Sequence, residues 1–190
     1  MATILLIRHA YTGMPERKQK PDSALSKKGE IQAKKLATKI AQNYKFEVVY
    51  SSFYKRARQT AEVIADLHHA EVRETENLNE IGVWTSPTQL HSPKLSPAEY
   101  REELKVLAEA QSKAVEFLKD VSERHTDETV AVVTHGNMIR GIIAAALVAG
   151  VETVVRLKVN NASLSILEYE ENGEFFRLTL FNDTSHLEKR

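Results

Sequence analysis

The stretch "TILLIRHAYTG" (Thr3–Gly13) begins as one kind of structure and stops as another. Ile4, Leu5, Leu6 and Ile7 make an unbroken apolar run, which suits a strand of a parallel sheet covered on both faces. Arg8 and His9 then stand side by side, where a buried strand has no use for a permanent cation. The pattern returns in "ETVAVVTHGN" (Glu128–Asn137), a second apolar run that also halts at a histidine, His135. Two buried strands that end alike need layers on both sides.

The intervening sequence supplies them. "PDSALSKKGEIQAKKLATKIAQNY" (Pro21–Tyr44) opens a helix, with Ser26 as N-cap and an apolar stripe through Ile31, Leu36 and Ile40. "FEVVYSS" (Phe46–Ser52) is a short strand running into the helix "FYKRARQTAEVIADLHH" (Phe53–His69), and "AEVRET" (Ala70–Thr75) reads as a third strand. Ser96, Pro97 and Glu99 form a helix start of the capping-box type, and Tyr100, Leu104, Leu107, Ala114, Leu118 and Val121 carry the helical period to about residue 124. A further helix follows His135 over Met138–Val148. Two last strands, Leu164–Tyr169 and Phe175–Phe181, flank a hairpin turn at Asn172-Gly173. Strands alternating with helices predict a three-layer α/β/α fold with a mostly parallel central sheet, one domain over residues 1–190.

The chain has 26 basic and 26 acidic residues, so no global field draws nucleic acid or an anionic membrane, and neither is expected as a partner. The absence of cysteine excludes disulfides, thiolate zinc sites, iron–sulfur clusters and a cysteine nucleophile. The N-terminal apolar run is short and lacks a preceding basic region, and no stretch approaches the ~20 apolar residues that cross a bilayer. The longest candidate, "MIRGIIAAALVAGV" (Met138–Val151), carries Arg140 and reads as a buried helix. The expected setting is cytoplasmic.

In parallel sheets, ligands bind beyond the carboxyl ends of the strands. His9 and His135 both lie there, and Arg56 and Arg58 open the helix after the second strand. If these three strands are neighbours, two imidazoles and two guanidiniums converge on one rim beside helix N-termini, an arrangement suited to a dianion such as phosphate. Ala10 and Gly136, small residues next to the histidines, let a ligand approach. Singly, each feature has an ordinary explanation. Arg58 reads as solvated, His68 and His69 as helix-end residues, and His125 and His186 as surface residues. Residues 75–95 read as an ordered loop, in which Trp84 and His91 lie within reach of a ligand or simply pack. Two histidines and a carboxylate also suit zinc, but no His-x-x-x-His pair occurs. Arginines beside the site would repel a divalent cation, since like charges ~4 Å apart cost about 4 kcal/mol at an effective dielectric of 20.

Five segments in this order, "LIRHAYTG", "LSKKGEIQA", "VVYSSFYKRARQTAEVI", "LNEIG" and "VVTHGNMIRGII", followed by "NNASLSILEY" (Asn160–Tyr169), resemble the histidine phosphatase superfamily, with its phosphoglycerate mutase-like fold. The resemblance spans nearly the whole chain. It implies that His9 is the nucleophile that becomes phosphorylated, that Arg8 and Arg56 clamp the phosphoryl oxygens, and that His135 contacts the phosphoryl group. It further implies Glu80 as general acid, with Thr12 and Gly136 near the phosphate. No metal or other cofactor is implied. Two departures stand out: Ala10 replaces the family's usual glycine, and "IGVWTSPTQLHSPKLSP" (Ile81–Pro97) lacks the expected glycine and glutamate pattern. The expected activity is metal-independent hydrolysis of a phosphomonoester, from a small metabolite or a phosphoprotein, by a monomer or homodimer. The alternatives are a phosphoglycerate mutase and a non-catalytic phospholigand-binding module on the same fold.

Overall fold

The computed structural model describes residues 1–81, 96–170, 172 and 174–188. Six strands, β1 (Ala2–Arg8), β2 (Val48–Ser52), β3 (Glu71–Thr75), β4 (Thr129–Thr134), β5 (Leu164–Glu170) and β6 (Phe175–Asp183), form one sheet in the order β3-β2-β4-β1-β5-β6. The pairings β3–β2, β2–β4 and β4–β1 are parallel, and β1–β5 and β5–β6 are antiparallel. The mostly parallel sheet is therefore as expected.

Both faces of the inner strands are covered, which explains why their sequences do not alternate. Ile4 and Leu6 of β1 and Val130 and Val132 of β4 pack with Leu107, Leu118, Ile139 and Ile142, from α3 (Pro97–Arg124) and α4 (Gly136–Ala146). Leu5, Ile7, Ala131 and Val133 face the other way, onto Ala33, Leu36, Ile40, Ala61 and Ile64 of α1 (Lys27–Ala41) and α2 (Lys55–His68). This gives the three layers. Among the described residues, no helix is long and apolar enough to cross a membrane.

The helix starts follow the caps. Ser96 and Glu99 complete the capping box at α3, and the Ser26 side chain accepts from the Gly29 N–H at α1. Three readings need correction. Ile31 is exposed at 58%, and the buried face of α1 runs through Gly29, Ala33, Leu36, Ala37 and Ile40. Helix α4 begins at Gly136, two residues earlier than expected, because His135 itself is the N-cap in extended conformation. His125 is not a plain surface residue: it is half-buried, with its ring edge-on to Tyr50 and a ring nitrogen 2.7 Å from Glu128. His186 is half-buried too. His68 stacks on Phe46, and Arg58 is exposed and paired with Glu62 and Glu74. Trp84, His91 and the turn residue Gly173 lie outside the described residues.

Candidate active site

The register sets the site. Arg8 pairs with Thr134 at the ends of β1 and β4, so His9 and His135 are the next residues out on adjacent parallel strands. Their rings lie 5.2 Å apart, centroid to centroid. Strand β2 borders β4 on its other side and ends at Ser52, which places Arg56 in the first turn of α2 at the same rim. Arg8, His9, Arg56 and His135 are all buried. The structure thus brings together the four side chains that the sequence singled out.

The hydrogen bonds fix the proton on His9. Arg56 Nε donates to His9 Nε2 at 3.2 Å, and because arginine only donates, that nitrogen presents a lone pair. His9 Nδ1 carries the hydrogen and donates it to the Ala10 carbonyl at 2.8 Å. Burial first, then the Arg8 and Arg56 charges, hold the His9 pKa well below its ordinary value. The result is a neutral imidazole whose Nε2 is unprotonated and accepts from a guanidinium.

Around it, Arg8 gives one terminal nitrogen to the Val159 carbonyl and the other to Glu16. Arg56 donates to the Lys20 carbonyl at 3.0 Å. His135 Nε2 lies 2.8 Å from Ser52 Oγ, and its ring meets Tyr54 edge-on. Burial, followed by His9, Arg56 and Arg8, pushes the His135 pKa well down. Glu80 follows β3 and a short 3-10 turn, Glu76–Leu78, that Thr134 pins by donating to the Leu78 carbonyl at 2.6 Å. Its Oε1 accepts the Ile81 N–H at 3.1 Å and the Met138 N–H of the first turn of α4 at 3.2 Å. Burial nevertheless outweighs Arg8, Arg56 and those amides, and the Glu80 carboxyl is pushed up to about 7.

Gly136 and Ala10 have steric roles. A Cβ at Gly136 would sit 3.2 Å from Arg8 Cζ, so the bare backbone is what lets the guanidinium lie there. Ala10 is fully buried with a negative φ, so the methyl group in place of the usual glycine brings no backbone strain. Thr12 is nine-tenths buried, and its hydroxyl is engaged with the Met14 backbone rather than with the histidines or arginines.

Sequence reasoning missed four residues here: Glu16, Ser52, Asn79 and Arg140. Arg140 lies one turn into α4, donates to Asn137 Oδ1 at 3.0 Å, and feels Arg8, Glu16 and Glu80. Its signal was present as a lone cation within an apolar helix. Glu16 sits in a 3-10 turn with no periodicity to betray it. Arg8 Nε, Arg140 Nε and His135 Nδ1 are buried without a hydrogen-bond partner among the described residues. Such orphans are rare, and the oxygens of an anion would satisfy the two guanidinium donors. Among the described residues, no three His, Cys, Asp or Glu side chains gather as a metal site.

A parallel α/β sheet with paired imidazoles and guanidiniums at its carboxyl rim is the arrangement of the phosphoglycerate mutase-like fold. The description "Histidine phosphatase superfamily (branch 1)" matches residues 4–184, and the chain belongs to that family. It is 30% identical over 209 residues to phosphoserine phosphatase 1 of Hydrogenobacter thermophilus, covering 98% of this chain and 95% of the relative. It is 27% identical to a metal-independent phosphoserine phosphatase of Arabidopsis thaliana, covering 97% of this chain and 82% of that one. Among solved structures, Bacillus stearothermophilus YhfR superposes with a TM-score of 0.79 at 24% identity, covering 99% of this chain and all of that one. Phosphoserine phosphatase from Entamoeba histolytica, solved with 3-phosphoglyceric acid, gives 0.77 at 24% identity, covering 98% of this chain and all of that one. The chain is a phosphatase of this family.

Proposed function

We propose that the protein hydrolyses a small phosphorylated metabolite without a metal, through a phosphohistidine on His9, and that residues 1–190 act as one domain. The observation that carries this is the proton assignment on His9. Its Nε2 carries no proton, so the lone pair that accepts from Arg56 becomes available for attack once that guanidinium turns to the phosphoryl oxygens it would neutralise. His9 Nε2 attacks phosphorus and the bond to the ester oxygen breaks. Glu80, protonated because its pKa is raised to about 7, gives its proton to the leaving alkoxide. Water then attacks the phosphohistidine, Glu80 takes its proton, and the phosphorus–nitrogen bond breaks to release phosphate and His9. Arg8, Arg56, His135 and the backbone at Gly136 surround the transferred group in this reading. Thr12 shapes the loop beneath it.

Relatives named as phosphoserine phosphatases support a compact, anionic phosphomonoester as substrate. The test is His9→Ala. Hydrolysis of p-nitrophenyl phosphate and of phosphoserine should fall by at least ~10³, the scale of losing an activated nucleophile. A retained rate removes the nucleophile.

A further inference from the structure

Asn79 closes the turn after β3 and reaches the end of β2, where it meets Ser52 and Phe53. The Phe53 backbone N–H donates to Asn79 Oδ1 at 3.1 Å, and a donor there requires the amide oxygen. The Ser52 hydroxyl lies 2.9 Å from the same oxygen, which only accepts, so the one hydroxyl proton goes to it. Ser52 Oγ is left with lone pairs. One takes the Tyr54 N–H at 3.1 Å, and the other faces His135 Nε2 at 2.8 Å. That ring nitrogen must therefore carry a proton. In neutral His135, Nδ1 is then a bare lone pair, buried and with no partner among the described residues, and so left for a ligand.

A lone pair repels a phosphoryl oxygen, whereas a proton on Nδ1 would donate to it. We propose that Asn79 and Ser52 are positioning residues that lock the neutral proton of His135 on Nε2, so that a phosphoryl dianion enters together with one proton, which goes to Nδ1. This rests on the reading of the His9 pocket as the phosphoryl site. The proton comes from solvent when the ester binds as a dianion and from the ester when it binds as a monoanion. Either way the complex holds an imidazolium beside a dianion, and no bond to phosphorus changes in this step. The two imidazoles are thereby divided in role: Arg56 keeps His9 Nε2 bare for attack, and the serine keeps His135 ready to be charged.

The groups facing His135 are His9 and Arg8 from β1, and Tyr54 and Arg56 from the start of α2. Glu80 and Glu16 act on the same arginines. Arginines stay cationic throughout the neutral range, so His9 and Glu80 are the titrations to remove. The test is calorimetry of sulfate, a dianion across that range, with the His9→Ala/Glu80→Gln protein at about pH 7.5 in two buffers of different ionisation enthalpy. Uptake should be close to one proton per sulfate bound. Adding Ser52→Ala frees the other neutral tautomer, and uptake should fall below about a third of a proton, while Ser52→Thr restores it. In the unaltered enzyme, nitrogen NMR of the histidines should show His135 protonated on Nε2. The opposite tautomer overturns the proposal whether or not the Ser52 variants fold. Sulfate binding without proton uptake, or uptake untouched by Ser52→Ala, overturns it and leaves the pocket standing. No saturable binding overturns the pocket as well.

Discussion

At Arg8 the guanidinium is shared between a backbone carbonyl and Glu16, and Glu16 also acts on Arg56 and Arg140. A carboxylate in that position offsets the mutual repulsion of three arginines, but it also repels an arriving phosphoryl dianion. Glu16 is 41% exposed, so water screens much of this interaction. Glu16→Gln keeps a hydrogen-bond acceptor and removes the charge. The Michaelis constant for p-nitrophenyl phosphate should drop about threefold to tenfold with kcat little changed, the pattern of altered uniform binding. A raised Michaelis constant would show instead that the charge holds Arg8 in place. Glu80 makes the complementary case, because its two amide donors and two arginines favour the carboxylate while burial favours the acid. With the acid form winning up to about pH 7, turnover of alkyl phosphates should decline as pH rises past that value. In single-turnover measurements of phosphoryl transfer onto the enzyme, Glu80→Gln should slow phosphoserine by about 10²–10⁴ and p-nitrophenyl phosphate by less than about tenfold, since nitrophenolate leaves unaided. Equal slowing of both would remove the proton-donor role.

Among the elements, α1 shows why helix existence is easier to read than helix facing. Ser26 marks its start correctly, yet Ile31 points to solvent and the packed face uses Gly29, Ala33 and Ala37. Small residues carry little hydrophobic signal, but they are what permits close packing against the alanines of α2, Ala57 and Ala61. Gly29 is the extreme case. A Cβ there would fall 2.0 Å from the Tyr11 carbonyl oxygen, which also accepts from the Ser26 hydroxyl. Helix α1 thus clamps the loop that carries Ala10, Tyr11 and Thr12 beyond His9. Gly29→Ala should destabilise the protein by about 1–3 kcal/mol or more in urea unfolding, the cost of overpacking, and should lower activity by displacing that loop. Unchanged stability would mean that the Tyr11 carbonyl moves aside freely. The sequence carried the strand ends at His9 and His135 clearly, because an apolar run halted by a histidine is a local pattern. Glu16 meets Arg8 across an irregular loop of eight residues and Ser52 meets Asn79 across 27, and neither contact follows a helical or strand period.

For the molecule as a whole, the sheet order β3-β2-β4-β1 turns separate motifs into one site, and stability is where that assembly leaves a measurable cost. His9 and His135 are held neutral by burial and by their arginines, so their folded pKa values lie well below that of the unfolded chain. As pH falls below the unfolded value of about 6.5, the unfolded state binds protons that the folded state refuses, and stability is lost. Glu80 has the opposite sign. Its folded pKa is about 7, so between the unfolded carboxyl range and that value the folded state binds the extra proton. Stability from this group therefore rises as pH falls from about 7 toward about 4.5. The two imidazoles and the carboxyl overlap in the window of roughly pH 6.5 to 5, where they partly cancel. Glu80→Gln removes the compensating group, and the loss of unfolding free energy with falling pH should steepen by up to one proton, about 1.4 kcal/mol per pH unit. His135→Gln should make the same limb shallower by up to as much. Urea unfolding of the three proteins across this window measures both differences. Parallel curves for all three would mean that these groups titrate alike folded and unfolded, and that the buried rim does not shape their protonation.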